Sequence, residues 1–123
     1  MSGASMTILV GKVALHPVST TTSAGLTMTT LSIVTDESWI DRVSGERKKH
    51  TELHLVKLYG RKAEFARDHL KKGSRVHVNG RNRTERFQHK GEDRSAFYVL
   101  GDRLVVLGLA RKPPNESFAD IDD

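Results

Sequence analysis

The fold is decided by the stretch HTELHLVKLY (residues 50–59), which runs directly into GRKAEFARDHLKKG (residues 60–73). In the first half, apolar residues are interspersed with polar and β-branched ones, a composition typical of a strand. The second half has the spacing of one helical face, with apolar or semi-apolar residues at Phe65, Ala66, His69 and Leu70. Because a basic pair and Gly73 then form a helix C-terminal signature, we predict a strand followed by one short helix over residues 61–70.

Four further segments have the composition of strands: TILVGKVAL (7–15), LTMTTLSIVT (26–35), and residues 75–87 and 95–107. The segments between them are rich in Gly, Ser, Thr and charge and are predicted as loops: residues 18–25, 41–49 and 88–94. Three strands, one helix and two strands is the order of the oligonucleotide-binding (OB) fold, although antiparallel meanders have similar counts. We predict an all-β domain, a five-stranded Greek-key OB barrel with its one short helix between strands 3 and 4.

Charge is distributed unevenly along the 123 residues. Twenty basic and eleven acidic residues lie in residues 1–112, a net charge of +9, whereas residues 113–123 carry four acids and no base. A basic body indicates a polyanionic partner, and a solvated basic surface that aids solubility is the alternative. We predict an OB domain over residues 1–110 and a short acidic, disordered tail over residues 111–123.

Composition excludes several classes of protein. The chain has no cysteine, which rules out disulfides, thiolate metal sites and cysteine nucleophiles. The first six residues lack the basic and apolar segments of a secretory signal, and no run approaches the roughly 18 apolar residues of a membrane helix. We therefore expect a soluble, cytoplasmic protein with no membrane contact.

The six histidines do not form a metal-binding motif. His50 and His54 are four residues apart in a predicted strand, where that separation is about 13 Å, too long for a shared ion. A Ser-His-Asp order, a phosphate-binding glycine loop and a plausible carboxylate pair are also missing. We predict no metal, no cofactor and no enzymatic activity.

Three of the seven Phe, Trp and Tyr residues lie beside clustered charge: Trp39, Tyr59 and Phe87. Each falls at the end of a strand or the base of a loop, where a side chain can face solvent. Binding a single strand without reading its sequence requires aromatic faces for the bases and cations for the phosphates between them. These three aromatics are therefore candidates for base stacking; the alternative is that they plug the ends of the barrel.

Nine short motifs recur in a recognisable order: ILVG (8–11), TDESW (35–39), SGE (44–46), TELH (51–54), LYG (58–60), AE (63–64), LKKGS (70–74), VNG (78–80) and GEDR (91–94). In this order and spacing the chain resembles the bacterial single-stranded DNA-binding protein family over about residues 6–108. The resemblance implies an OB fold and sequence-tolerant binding of single-stranded DNA in replication, recombination or repair. It also implies a homo-oligomer, with a tetramer favoured over a dimer.

The same resemblance implies which residues bind the strand. It places stacking aromatics at Trp39, Tyr59 and Phe87, the last where the family more often has tryptophan. It places phosphate-neutralising cations at Arg42, Lys48, Arg61, Lys72, Arg83 and Arg86, so binding is expected to weaken with salt. His54 matches a family histidine expected at the contact between subunits.

Three further features depart from the family pattern. Leu53 stands where the family has a stacking tryptophan, and Leu55 where it often has an arginine. Both changes predict lower affinity or a different path for the strand. The tail lacks the terminal Pro-Phe that docks replication and repair proteins, which puts such recruitment in doubt.

These departures suggest an accessory form encoded by a bacterium, a phage or a plasmid. Two other functions stay open. One is a primosome-type accessory OB protein that acts mainly through protein contacts, and the other is an RNA-binding OB barrel.

Overall fold

The computed structural model describes residues 3–109, which form six strands and one helix. In chain order these are β1 (Thr7–Val13), β2 (Val18–Thr21), β3 (Thr27–Ile40), β4 (Arg47–Tyr59), α1 (Arg61–His69), β5 (Arg75–His89) and β6 (Glu92–Gly108). The predicted acidic tail lies outside the described residues. Within residues 3–109, no helix is long and apolar enough to span a bilayer.

Five of the strands close into a barrel. Hydrogen-bonded neighbours follow the order β1-β5-β6-β4-β3, and the C-terminal end of β1 pairs again with β3, which completes the ring. All neighbours are antiparallel except β4 and β6, which run parallel over only two residue pairs, Val56↔Val99 and Lys57↔Leu100. The predicted five-stranded OB barrel, with its helix between the third and fourth barrel strands, is confirmed.

The barrel interior is filled by alternate residues of these strands, a core that includes Leu9, Val13, Leu31, Ile33, Val56, Leu58, Val76, Val78 and Val99. Successive side chains of a strand point to opposite faces, so the residues between the core positions face outward. Each buried aliphatic side chain contributes about 1.5–3 kcal/mol relative to its exposed state. Burial of the core therefore determines which side of every strand is left for a ligand.

Gly11 lies where β1 passes from one neighbour to the other. The strand pairs with β5 up to Lys12, and Lys12 and Val13 also pair with β3. A Cβ on Gly11 would clash with the carbonyl oxygen of Val34 and would lie 3.1 Å from Cγ2 of Ile33. The absence of a side chain at Gly11 is therefore a condition for closing the barrel.

Helix α1 packs on β3 and β4 through small side chains. Ala63 and Ala66 are fully buried, and the hydroxyl of Thr29 donates a 2.7 Å hydrogen bond to the carbonyl of Ala63. The predicted apolar face was wrong at Phe65 and His69, which are exposed and stack on each other with ring centroids 4.8 Å apart. Alanines allow the helix to approach the strands closely, whereas the larger rings lie on its solvent-facing flank.

Cross-strand pairing turns parts of all three predicted loops into strand. Residues 18–25 include β2, which adds to the edge of β3. Residues 88–94 shrink to a two-residue turn at Lys90 and Gly91, whose φ angles of 55° and 80° are those of a type I′ turn. Residues 41–49 shrink to a loop over residues 41–46. Pairing depends on a distant partner strand, so local composition does not reveal it.

We predict that Gly11→Ala lowers the free energy of unfolding by about 2–3 kcal/mol, because the Val34 carbonyl belongs to the backbone and cannot move aside cheaply. Gly108→Ala is the matched control, since a Cβ there would meet no heavy atom within 4 Å. Its effect should stay within about 0.5 kcal/mol. Urea unfolding followed by circular dichroism measures both variants, and equal midpoints would contradict a tight closure at Gly11.

Candidate nucleic-acid interface

Two long hairpins extend beyond the same end of the barrel. β4 and β6 are parallel and pair at only two positions. Before these positions, β4 pairs only with β3 and β6 pairs only with β5, each in antiparallel fashion. We call residues 36–53 the β3–β4 arm and residues 81–98 the β5–β6 arm. Nearly all side chains on both arms are exposed, as expected for two-stranded ribbons with no second layer packed on them.

A cleft of about 490 Å³ lies where the two arms diverge. It is lined by Leu53, His54 and Leu55 from β4, by Asn82, Arg83 and Thr84 from β5, and by Phe97, Tyr98 and Val99 from β6. Its volume falls in the range of about 300–1,000 Å³ that is common for small-ligand sites. The lining mixes apolar side chains with a few polar ones, which is the usual chemistry of such sites.

The outward side of β4, β6 and β5 forms a continuous surface that begins at this cleft, and we call it the outer face. Strand alternation and register place on it Leu53, Leu55, Lys57 and Tyr59 of β4, Tyr98 and Leu100 of β6, and Arg81, Arg83, Glu85 and Phe87 of β5. Neighbouring strands lie only about 4.8 Å apart, so side chains from the three strands can contact one ligand.

Lys57 connects the three strands of the outer face. Its Nζ atom lies 2.8 Å from Oε1 of Glu85 on β5 and 4.4 Å from the ring centroid of Tyr98 on β6. The hydrogen bond to Glu85 raises the pKa of Lys57 above its ordinary value, although partial burial acts in the opposite direction. Lys57 therefore stays charged at neutral pH and holds the β5–β6 arm against β4.

The three predicted stacking aromatics are exposed or half-buried, so none of them plugs the barrel. Tyr59 and Phe87 both belong to the outer face, and Phe87 is 45% exposed. Trp39 is 48% exposed and pairs with Lys48 near the tip of the β3–β4 arm. By strand alternation Trp39 belongs with Ile33, on the opposite side of the ribbon from Leu53. The structure thus brings Tyr59 and Phe87 onto one surface and places Trp39 on another.

Four of the six predicted phosphate-binding cations lie on or next to the tips and sides of the arms: Arg42, Lys48, Arg83 and Arg86. The other two lie on the body of the barrel. Arg61 is the first residue of α1 and lines a separate groove against β6, and Lys72 lies in the turn that leads into β5. The predicted cations therefore do not form a single patch.

The tip of the β3–β4 arm has a defined shape because Asp41 holds it. The Asp41 carboxylate accepts hydrogen bonds from the N–H of Val43 at 3.1 Å and from the hydroxyl of Ser44 at 3.0 Å. The Asp41 carbonyl accepts another from the N–H of Gly45, whose φ of 73° favours glycine. Arg42 is consequently presented from an ordered loop.

His54 lies in the cleft, and its Nε2 atom is 3.0 Å from Oγ1 of Thr35. A single chain does not test its predicted role at a subunit contact, which stays a prediction. His50 instead lies 2.7 Å from a carboxylate oxygen of Glu52. Over the described residues 3–109, no group of three or more His, Cys, Asp or Glu side chains could hold a metal ion.

Sequence reasoning missed three cleft or outer-face residues: Lys57, Phe97 and Tyr98. Phe97 and Tyr98 were counted only as parts of a strand, and Lys57 only as part of the charge beside Tyr59. A usable signal existed for Phe97, because β5 opposite it consists of polar residues from Arg81 to Arg86 and offers no apolar partner. A large apolar residue in such a surrounding indicates a surface that binds something.

The fold and the two arms, which carry exposed aromatics and cations, define an OB-fold protein of the nucleic-acid-binding class. Comparison with known families matches residues 5–107 to the Single-strand binding protein family, and the chain belongs to this family. Its members are non-enzymatic DNA-binding proteins, in agreement with the expectation of no catalytic activity.

Solved structures of this kind are similar over most of the chain. The Plasmodium falciparum single-stranded DNA-binding protein, solved with single-stranded DNA, is 25% identical with a TM-score of 0.80, over 87% of this chain and 97% of that one. The wild-type Thermus aquaticus protein is 28% identical with a TM-score of 0.75, over 87% of this chain and 52% of that one. This chain thus spans about half the length of the Thermus protein.

The Plasmodium relative is eukaryotic, so the family is not confined to bacteria. A bacterial, phage or plasmid origin of this chain stays a prediction.

We predict that Lys57→Met, which keeps the apolar stem, lowers the free energy of unfolding by about 1 kcal/mol at neutral pH. Because the folded-state pKa of Lys57 is raised, this contribution is present below the ordinary value of 10.5 and is lost as pH rises through the folded-state pKa. Urea unfolding of the wild type and Lys57→Met at pH 7 and above about pH 11 should therefore show a difference that shrinks at high pH.

Lys48→Met is the control for this experiment. Lys48 and its partner Glu46 are 3.5 Å apart and both exposed, so the loss should be below about 0.5 kcal/mol. A loss as large for Lys48→Met as for Lys57→Met would contradict a special role for Lys57.

Proposed function

We propose that this protein binds single-stranded DNA with little sequence preference and protects it during replication, recombination or repair. The observation that carries the proposal is the pair of arms that diverge at the cleft. They present the exposed rings of Trp39 and Phe87, and the guanidinium groups of Arg42, Arg83 and Arg86, which form no ion pair among residues 3–109. Stacking faces together with phosphate-tracking cations are the two requirements for binding a single strand.

The aromatic part of the proposal assigns base stacking to Trp39, Tyr59 and Phe87. Exposure of Trp39 and Phe87 supports this assignment, since a ring can stack a base only if one face is open. Each stacked base contributes about 1–3 kcal/mol, and stacking accepts every base because all four have an aromatic face. Tolerance of sequence follows directly from this mode of contact.

The electrostatic part assigns phosphate contacts to Arg42, Lys48, Arg61, Lys72, Arg83 and Arg86. Within residues 3–109, Arg42, Arg83 and Arg86 form no ion pair. In contrast, Arg81 of the same arm is neutralised by Asp102 at 3.0 Å. The unpaired arginines are free to replace counterions of the DNA backbone, which makes affinity salt-dependent.

The proposal predicts that oligo-dT quenches the fluorescence of Trp39, the only tryptophan, and that affinity falls steeply with salt. Arg83→Gln and Arg86→Gln should each lower the slope of log K against log salt by about 0.7, the contribution of one phosphate on a single strand. Fluorescence titration at four salt concentrations measures both effects.

Arg67→Gln is the matched control for charge. Arg67 lies on helix α1 and pairs with Asp68 at 2.8 Å, so its removal should leave the salt slope unchanged. Equal affinity for duplex and single-stranded DNA would refute the proposal. Preference for poly-U over poly-dT would favour an RNA-binding barrel, and failure to bind either would favour a protein-contact role.

We also propose that the protein assembles as a homo-oligomer, with a tetramer favoured. The outward side of the β1–β5–β6 sheet supports this, because it exposes Ile8 and Val10 on one side of β5 and Val105 on the other. Between them, Nδ1 of His77 and Oδ1 of Asn79 are buried without a hydrogen-bond partner in the single chain. Orphaned polar atoms beside an exposed apolar surface are expected where another subunit packs.

Assembly predicts a mass of four times, or for a dimer two times, the 13.7 kDa of one chain in multi-angle light scattering. Val10→Glu should reduce that mass, because it places a charge in the proposed contact. Val43→Glu is the control, since Val43 is 96% exposed in the β3–β4 loop. A wild-type mass of one chain, or equal masses for the two variants and the wild type, would contradict this interface.

A further inference from the structure

Phe97 is the most exposed aromatic side chain among residues 3–109, at 76%. It alternates with Val99, which belongs to the core and is 6% exposed. Phe97 would therefore be a core residue if β4 continued beside β6, but their pairing ends at Val56 and Val99. The divergence of the arms removes the covering strand and leaves the Phe97 ring open in the wall of the cleft.

We propose that Phe97 forms a base-binding subsite in this cleft, in which an unstacked nucleobase lies on its ring and the adjoining phosphate is held by Arg83. The inference rests on the proposed single-strand binding and goes beyond it by assigning a stacking residue and a strand path within the cleft.

The chemistry of the cleft favours a nucleotide over an apolar occupant. Arg83 and Phe97 line the same cleft from the two strands of one arm, and Arg83 has no ion pair among the described residues. The neighbouring cations Arg81 and Lys57 are each neutralised, by Asp102 and Glu85 respectively. An uncompensated guanidinium at the edge of an aromatic and apolar cleft matches a ligand that has both a flat ring and an anionic group.

The opposite wall of the cleft gives a reason for an aromatic at position 97. Leu53 faces the cleft from β4 and is 57% exposed, but a leucine cannot stack on a base. Phe97 supplies from β6 the aromatic face that β4 lacks at this point. Because Leu53 and Phe97 line the same cleft, a base on the Phe97 ring would also lie near the leucine methyl groups.

The test compares the full chain carrying Phe97→Ala with the wild type on two probes, oligo-dT and an oligomer of equal length made of abasic deoxyribose phosphate. On oligo-dT we expect a loss of affinity of about 5- to 150-fold, the equivalent of one stacked base, with an unchanged salt slope. On the abasic oligomer we expect no change, because no base is present to stack.

Two further variants make the result specific. Phe65→Ala removes the same ring from an exposed position on helix α1, where Phe65 is 42% exposed, and should leave oligo-dT binding unchanged. Leu53→Trp in the Phe97→Ala background should recover part of the affinity, because it returns an aromatic to the opposite wall. Far-ultraviolet circular dichroism verifies that all variants are folded.

The outcomes separate this inference from the proposed function. If the wild type does not bind oligo-dT, single-strand binding itself fails. If the wild type binds and Phe97→Ala binds equally well, or weakens on dT and abasic strands alike, the subsite is refuted while single-strand binding stands. A fluorescence change from the tryptophan of Phe97→Trp in a Trp39→Phe background gives an independent readout of contact, and an unresponsive signal would also refute the subsite.

Discussion

Closure of the barrel at β1 is the constraint on which the rest of the structure depends. Gly11 allows β1 to reach β5 and β3 at once, since any side chain there would strike the backbone of β3. In the closed ring β4 and β6 are the one parallel pair of neighbours, and they pair over two residue pairs only. Their partners β3 and β5 then carry them outward as separate ribbons. The cleft is thus a geometric product of how five strands close around a small core.

Much of this fold could be predicted from the sequence, because the spacing of apolar residues indicates the order of the strands and the helix. The details that failed depend on distant partners. Strand β2 forms because it pairs with residues 27–30 of β3, and the β5–β6 arm reaches the Lys90–Gly91 turn because two polar segments pair with each other. On α1, apolar spacing placed Phe65, Ala66, His69 and Leu70 on one face. Close approach to the strands buries Ala66 and Leu70 together with Ala63, whereas Phe65 and His69 stay exposed.

The site residues stay a prediction, but the structure shows where the sequence placed them well and where it did not. Trp39 and Phe87 are exposed as a stacking role requires, and four of the six cations lie at the arms. The sequence could not show which of the predicted aromatics and cations lie on the same side of an arm. This arrangement follows from register, which places Tyr59 and Phe87 together and Trp39 apart. Phe97 was not predicted for the same reason. The sequence does not show that the pairing of β6 with β4 ends at Val99, which leaves Phe97 uncovered.

The tight turn at Lys90 and Gly91 has a consequence for how this arm can change in evolution. A two-residue turn leaves no slack, so every residue added to one side of the hairpin must be matched on the other. Lengthening by two residues per strand would extend the arm and keep each side chain on its present side. An unmatched insertion between Arg83 and Phe87 would have to be absorbed as a bulge, or it would turn one ring away from the surface it now shares. The geometry therefore accommodates changes in the reach of the arm in paired steps, whereas a change of one residue in one strand disturbs the register.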